Sequence, residues 1–115
     1  MMFKNTQELI KEAISEKLYS KLVEQIQKDF VLANINFNLP PEVGAMNLIK
    51  LLQEKIYVLI LEKFDQYLNL LYIIDVPEKS FKEIEVTDVV EIAEQVSFLI
   101  FKRELQKVRL KARYS

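Results

Sequence analysis

The sequence predicts an all-α fold, an antiparallel bundle of three long helices and one short helix in a single domain, residues 1–115. Two observations carry this prediction. Apolar residues recur every three or four positions along most of the chain, which is the period of a helix with one buried face. Three polar starts of the capping-box type stand just ahead of apolar stretches: Asn5-x-x-Glu8, Asp75-x-x-Glu78 and Asp88-x-x-Glu91. The predicted helices span about 6–33, 41–74, 76–84 and 88–112.

The first predicted helix carries an apolar stripe that winds around its surface. The first members of the stripe are spaced by four residues: Ile10, Ile14, Leu18 and Leu22. Each step of four residues turns the stripe by about 40°, because an α-helix has 3.6 residues per turn. This winding favours packing within a globule over a long two-stranded coiled coil.

The segment after the first helix has a different period. Ile35, Phe37 and Leu39 alternate with three asparagines, which is the two-residue period of a strand. No second strand is predicted with which it could pair, so we interpret the segment as an extended connector that packs on the helices. The alternative is an edge strand that pairs between two copies of the protein.

The second predicted helix starts at Pro41, since proline suits the first helical turn. Its spacings of three and four allow one continuous helix to Ile74. The run Ile56–Leu61 is apolar on every side, which indicates a central, buried element. Val96–Phe101 on the last helix is similar. Two such belts exceed what three helices easily cover, so we expect a homodimer that completes a larger bundle.

Composition excludes most familiar site chemistry. The sequence has no histidine and no cysteine, which removes the commonest general base, the thiol nucleophile and thiolate metal ligands. The single glycine, Gly44, excludes a glycine-rich phosphate loop. We therefore predict a protein without a cofactor or metal site and without enzymatic activity. The longest apolar run, Ile56–Leu61, is far shorter than a membrane span, so a cytoplasmic location is expected.

Charge is unevenly distributed although the net charge is only −1. From Lys102 onward there are six basic residues against one acidic residue, while 75–94 carries seven acidic residues against two basic ones. The tail could contact phosphates of nucleic acid or an acidic partner. It could equally complement the dipole at a helix C-terminus, or be neutralised by the acidic stretch across a dimer. The candidate contact residues are Lys107, Arg109, Lys111 and Arg113.

Two charged pairs call for a structural interpretation. Arg103 and Glu104 interrupt an apolar belt, and charges are rarely buried unpaired. If the second and fourth helices are antiparallel with Ile74 level with Asp88, position 103 lies one turn from Glu62. We therefore predict an ion pair between Arg103 and Glu62, within one chain or across a dimer. The Asp75-x-x-Glu78 element is interpreted as a helix stop followed by a capped start rather than a cation site.

Two motifs in the second part of the chain resemble a known family. They are Tyr72-x-Ile74-Asp75-x-x-Glu78 and Arg103-Glu104-x-Gln106-Lys107. They look like elements of a family of small bacterial all-helical proteins whose function is unknown, and the resemblance extends from Pro41 onward. It implies an all-helical fold and assigns no catalytic or binding residue.

The sequence thus favours a non-enzymatic helical module for protein–protein interaction or structural support that acts as a homo-oligomer. The expected partner is a second copy of the chain, or another protein. The alternative is a nucleic-acid-associated protein that uses the basic C-terminal helix.

Overall fold

The structure, a computed structural model, describes residues 5–85 and 88–114 and confirms the all-α prediction. No strand occurs in these ranges, and the molecule measures 37 × 28 × 25 Å. The helices in the described residues number six rather than four: α1 Thr6–Ser15, α2 Tyr19–Leu32, α3 Ala45–Glu62, α4 Phe64–Ile74, α5 Glu78–Lys82 and α6 Val89–Tyr114. None of them is long and apolar enough to cross a membrane.

Helix α6 is the centre of the bundle, because it packs against each of the other five described helices. This corrects the expectation that the 41–74 segment would be central. The apolar run Val96–Phe101 on α6 is largely covered within one chain: Val96, Ile100 and Phe101 have no exposed surface, and Phe98 and Leu99 are partly buried against the core. The excess apolar surface expected on this helix is therefore absorbed by the five shorter helices around it.

The predicted helix 6–33 is two helices, because the chain leaves the helical path at Lys17. Lys17 has a left-handed backbone with φ of 62°, and the Leu18 amide donates to the carbonyl of Ala13 at 2.8 Å. These are the features of a left-handed helix C-terminus. The predicted stripe therefore does not continue around one helix. Ile14 in α1 faces outward and is half exposed, whereas Leu22 in α2 is fully buried.

The connector after α2 is extended without strand pairing, as predicted. Asn34 ends α2 with a left-handed φ of 59°, and Ile35 beyond it is buried. The ring of Phe37 lies on that of Phe30 with centroids 4.5 Å apart. The apolar side chains of this segment therefore face the core of their own chain.

The predicted helix 41–74 is also divided, and it begins later than expected. Pro41 and Glu42 form a turn in which Glu42 has a φ of 54°, so the first helical residue is Ala45. At Lys63 the backbone becomes non-helical, with φ −141° and ψ 58°, and this residue separates α3 from α4. The end of α3 lies near Val90 of α6, whereas α4 ends beside Lys107 of α6. The chain therefore turns back at Lys63 to form an α3–α4 hairpin.

Two of the three predicted caps are formed. The side chain of Asn5 accepts a hydrogen bond from the Glu8 amide at 2.8 Å, and that of Asp88 accepts from the Val90 amide at 2.8 Å. The third prediction is wrong, because Asp75 ends α4 in a left-handed conformation (φ 69°) and Pro77 precedes α5. A short aspartate can adopt this conformation at lower cost than most residues.

The left-handed residue at the end of α1 gives a test of the break. We expect Lys17→Gly to raise the free energy of unfolding by roughly 0.5–1 kcal/mol, because glycine adopts positive φ without a Cβ clash. Lys11→Gly, at an exposed position inside α1, should lower it by about 1 kcal/mol. Urea denaturation followed by circular dichroism measures both values. Equal destabilisation by the two variants would mean that one helix continues through Lys17, as the sequence alone suggested.

Candidate interaction surface and the polar cluster of helix α6

Three of the four basic residues proposed as phosphate contacts are engaged with helices α1 and α2. The guanidinium of Arg109 forms two hydrogen bonds with the carboxylate of Glu16, one of them from Nε at 2.9 Å. The Lys111 ammonium donates to the side-chain oxygen of Gln25 at 2.6 Å. Arg113 is exposed in the last turn of α6.

Lys107 is the best-buried of these basic residues. Its ammonium lies 2.5 Å from Asp29 Oδ2 on α2 and 3.1 Å from Glu104 Oε1 one turn earlier on α6. It also donates to the carbonyl of Ile74 at 3.1 Å, at the C-terminus of α4. One ammonium therefore ties α6 to α2 and to the end of α4, and it faces two carboxyl groups.

Both of these carboxyl groups are inside the protein. Glu104 has no exposed surface and Asp29 is 3% exposed. Burial would raise the pKa of Asp29, but hydrogen bonds from Glu104, Lys107 and Gln25 outweigh it, so the pKa is lowered. The Gln25 amide donates to Asp29 Oδ1 at 3.2 Å. Asp29 is therefore the carboxylate that the cluster stabilises in its charged form.

Glu104 has the opposite environment. Its burial, together with the hydrogen bond to Asp29 and the negative charge of that carboxylate, raises the pKa of Glu104 to about 9. Lys107 opposes this effect but does not overcome it. Neither oxygen of Glu104 accepts a well-directed hydrogen bond, although Lys107 lies within ion-pair distance of one of them. A deprotonated Glu104 would thus lack the donors that a buried carboxylate needs.

Within one chain, Arg103 pairs with Asp75 and not with Glu62. The guanidinium lies 3.1 Å from Asp75 Oδ2, while Glu62 is exposed at the end of α3. The predicted pairing assumed that Ile74 lies level with Asp88. Because the chain turns back after α3, Ile74 lies instead beside Lys107. The next residue, Asp75, is therefore within reach of Arg103.

Exposed apolar side chains collect on the α3–α4 hairpin. The exposed fractions are 55% for Leu61 and 53% for Phe64, on either side of the break at Lys63. Three more lie one turn away in each helix: Tyr57 and Val58 in α3 and Leu68 in α4, at 37–41% exposure. We call these five residues the α3–α4 surface. Met46 and Tyr72 are also exposed but lie towards the far ends of α3 and α4.

A shallow groove of about 520 Å³ adjoins this surface between α3 and α6. Tyr57 and Val58 form one apolar wall, and Val90 and Ala93 of α6 form the other. Three charged residues also line the groove: Lys50, Glu54 and Glu94. The hairpin therefore carries an exposed apolar edge, at Leu61 and Phe64, one turn beyond the α3 residues that line an apolar depression.

Sequence reasoning found Glu104 as an interruption of an apolar belt but missed its partner Asp29. The sequence does indicate that Asp29 is buried, because it continues the spacing of Leu22 and Ile26 on the buried face of α2. A carboxylate at a position of the apolar stripe is a reason to look for a buried partner. No group of three or more acidic side chains placed to hold a metal ion occurs in the described parts of the chain.

Comparison with known proteins adds no family to these observations. The chain matches no protein-family model, no curated protein and no solved structure.

Removal of the partly buried ammonium group tests the role of Lys107. We expect Lys107→Met to lower the free energy of unfolding by about 3 kcal/mol, because Asp29 is then left as a buried charge without its counter-ion. Lys102→Met on the exposed side of the same helix is the control and should change it by less than about 0.5 kcal/mol. Chemical denaturation at pH 7 gives both values. Similar small losses for the two variants would contradict a structural role for the cluster.

Proposed function

We propose that this protein is a non-enzymatic helical interaction module that forms a homodimer through the α3–α4 surface. The observation that supports the proposal is the group of half-exposed apolar side chains at the α3–α4 hairpin beside an apolar groove. Clustered exposed apolar residues of this kind mark interaction sites, whereas scattered ones need no explanation. Aromatic residues such as Tyr57 and Phe64 are enriched in the cores of protein interfaces.

A second copy of the chain is the partner that suits this face. In a twofold dimer the same patch meets itself, so a patch needs both a projection and a recess that receives it. The edge at Leu61 and Phe64 lies next to the groove that begins at Val58. The ring of Phe64 also contacts that of Tyr67, with centroids 5.4 Å apart, which restrains the projecting side chain before association.

Charge at the rim supports the same arrangement. Lys63 is exposed beside the projecting edge, while Glu54 and Glu94 line the groove. A twofold contact that inserts the edge of one copy into the groove of the other brings Lys63 towards these carboxylates. Such pairs at a rim contribute orientation and association rate more than affinity. The small net charge of −1 also leaves little long-range repulsion between two copies.

A dimer is preferred to a nucleic-acid-binding role for a structural reason. Lys107, Arg109 and Lys111 bind polar side chains at the end of α1 and on α2, so three of the four basic residues already have partners within the chain. The non-enzymatic part of the proposal rests on the sequence, which lacks histidine and cysteine.

The dimer is tested by a charge placed on the projecting edge. We expect Leu61→Lys to weaken self-association by roughly tenfold or more, because it removes apolar contact and requires an ammonium group to lose its water in the contact with the partner's groove. Sedimentation velocity over a wide range of concentrations measures the dissociation constant for each protein.

Ile14→Lys is a closely matched control. Ile14 is 51% exposed and is the penultimate residue of α1, as Leu61 is 55% exposed and the penultimate residue of α3. Ile14→Lys should leave the dissociation constant unchanged. A wild-type protein that stays monomeric at high concentration would overturn the proposal, as would equal weakening by the two variants.

A further inference from the structure

The cluster around Lys107 contains one more carboxyl group than its charges can balance. Asp29 and Glu104 both face a single ammonium, and the carbonyl of Ile74 takes another of the three donors of that ammonium. With both carboxyls ionised, the interior would hold a net negative charge, which is costly without further donors. With one proton added, the cluster is neutral.

The location of that proton follows from the hydrogen bonds. Asp29 accepts from Gln25 through Oδ1 and from Lys107 through Oδ2, so both of its oxygens are stabilised as a carboxylate. Glu104 is fully buried and its oxygens have no comparable donors. Glu104 is consequently the group that carries the proton, and the carboxylate of Asp29 accepts a hydrogen bond from it.

Among the residues that the structure describes, the charged groups of the neighbouring helices are directed to other partners. From α6, Arg103 is directed to Asp75 beyond the end of α4, and Lys111 to the side-chain oxygen of Gln25 on α2. At the C-terminus of α1, Glu16 is paired with Arg109. The buried face of α3 consists of apolar residues only: Leu48, Ile49, Leu52, Ile56 and Leu59. Helix α5 has no buried residue.

We propose that Glu104, Asp29 and Lys107 form a buried proton-binding site, in which Glu104 is neutral in the folded protein and donates its proton to Asp29. The site joins α6 to α2 and, through the carbonyl of Ile74, to α4. Loss of the proton places an unpaired negative charge between these helices and favours their separation. The fold therefore takes up a proton when it forms and weakens when the proton leaves.

The direction of the pH dependence follows from this uptake. In the unfolded chain Glu104 releases its proton near its ordinary value of 4.5, whereas in the folded protein burial and Asp29 raise the pKa to about 9. The contribution of Glu104 is complete below the lower value and is lost as pH rises towards the upper one. Over this interval the folding equilibrium constant should fall about tenfold per pH unit. The lowered pKa of Asp29 places its own titration below this range.

The composition of the chain leaves few other groups whose titration could change stability in the relevant pH range. With no histidine and no cysteine, the α-amino group is the only other group that ordinarily titrates between pH 5.5 and about 8.5. Urea unfolding at one fixed protein concentration and four pH values in this range should show a fall of about a thousandfold in the wild-type folding constant. The fixed concentration keeps any dimerisation equal at each pH.

Two substitutions distinguish the pH dependence due to Glu104 from that due to exposed carboxylates. Glu104→Gln keeps a donor towards Asp29 and cannot ionise, so its folding constant should be nearly independent of pH. Glu24→Gln removes an exposed carboxylate of α2 and should retain the full dependence of the wild type. A flat wild-type profile would overturn the proposal, and so would a Glu104→Gln profile as steep as that of the wild type.

A second measurement uses the unmodified protein and so does not depend on the folding of a variant. In a sample labelled with ¹³C at glutamate side chains, one carboxyl resonance should remain in its protonated position at pH 7 and move only at alkaline pH. If every glutamate carboxyl titrates near the ordinary value, the site is not a proton-binding site.

Discussion

Burial of the middle of helix α6 is the interaction on which the other helices depend. The residues around Val96–Phe101 are apolar on almost every side, and α1 to α5 all pack on the helix that carries them. Most of these helices are too short to be stable in water alone, since an isolated helix below about 12–15 residues is marginal. They persist because each one buries its apolar face against α6 or a neighbouring helix.

The second half of α6 is held in a different way. Beyond Phe101 its contacts include Glu104, Lys107 and Arg109, which reach polar groups on α1, α2 and α4. Hydrophobic packing is weakly directional, whereas a buried ammonium tolerates little displacement from its acceptors. The apolar half of α6 thus provides most of the driving force, and the polar half fixes the rotation and register of the helix. The proposed proton belongs to this second function.

The sequence was sufficient for the fold class, the extended connector and the caps at Asn5 and Asp88, because periodicity and short polar caps are local properties. It was insufficient for the breaks at Lys17 and Lys63, because neither position has the glycine or proline that usually announces one. An apolar spacing of three and four also fits both halves of a divided helix. The predicted pair of Arg103 and Glu62 assumed one continuous helix from Pro41 to Ile74. Because the chain reverses at Lys63, the assumed register does not apply within one chain.

The polar cluster of α6 was also predictable only in part, because local sequence signals do not show which helices meet. Glu104 stood out because it interrupts an apolar stretch, but its partner Asp29 is 75 positions away and the sequence does not reveal which helices meet. The exposed surface was anticipated as excess apolar area on two helices. The structure covers the excess on α6 and leaves that on the α3–α4 hairpin, a distinction that depends on how the helices are arranged and not on their composition.

The position of α6 in the chain has a consequence for biosynthesis. The helix on which every other described helix packs is the last of the six to be translated. Until it leaves the ribosome, the preceding helices can pack only on one another, at the α1–α2, α2–α4 and α3–α4 contacts, and the apolar faces that α6 covers stay open to water or to chaperones. Completion of the core is therefore expected to be a late event that follows the synthesis of α6.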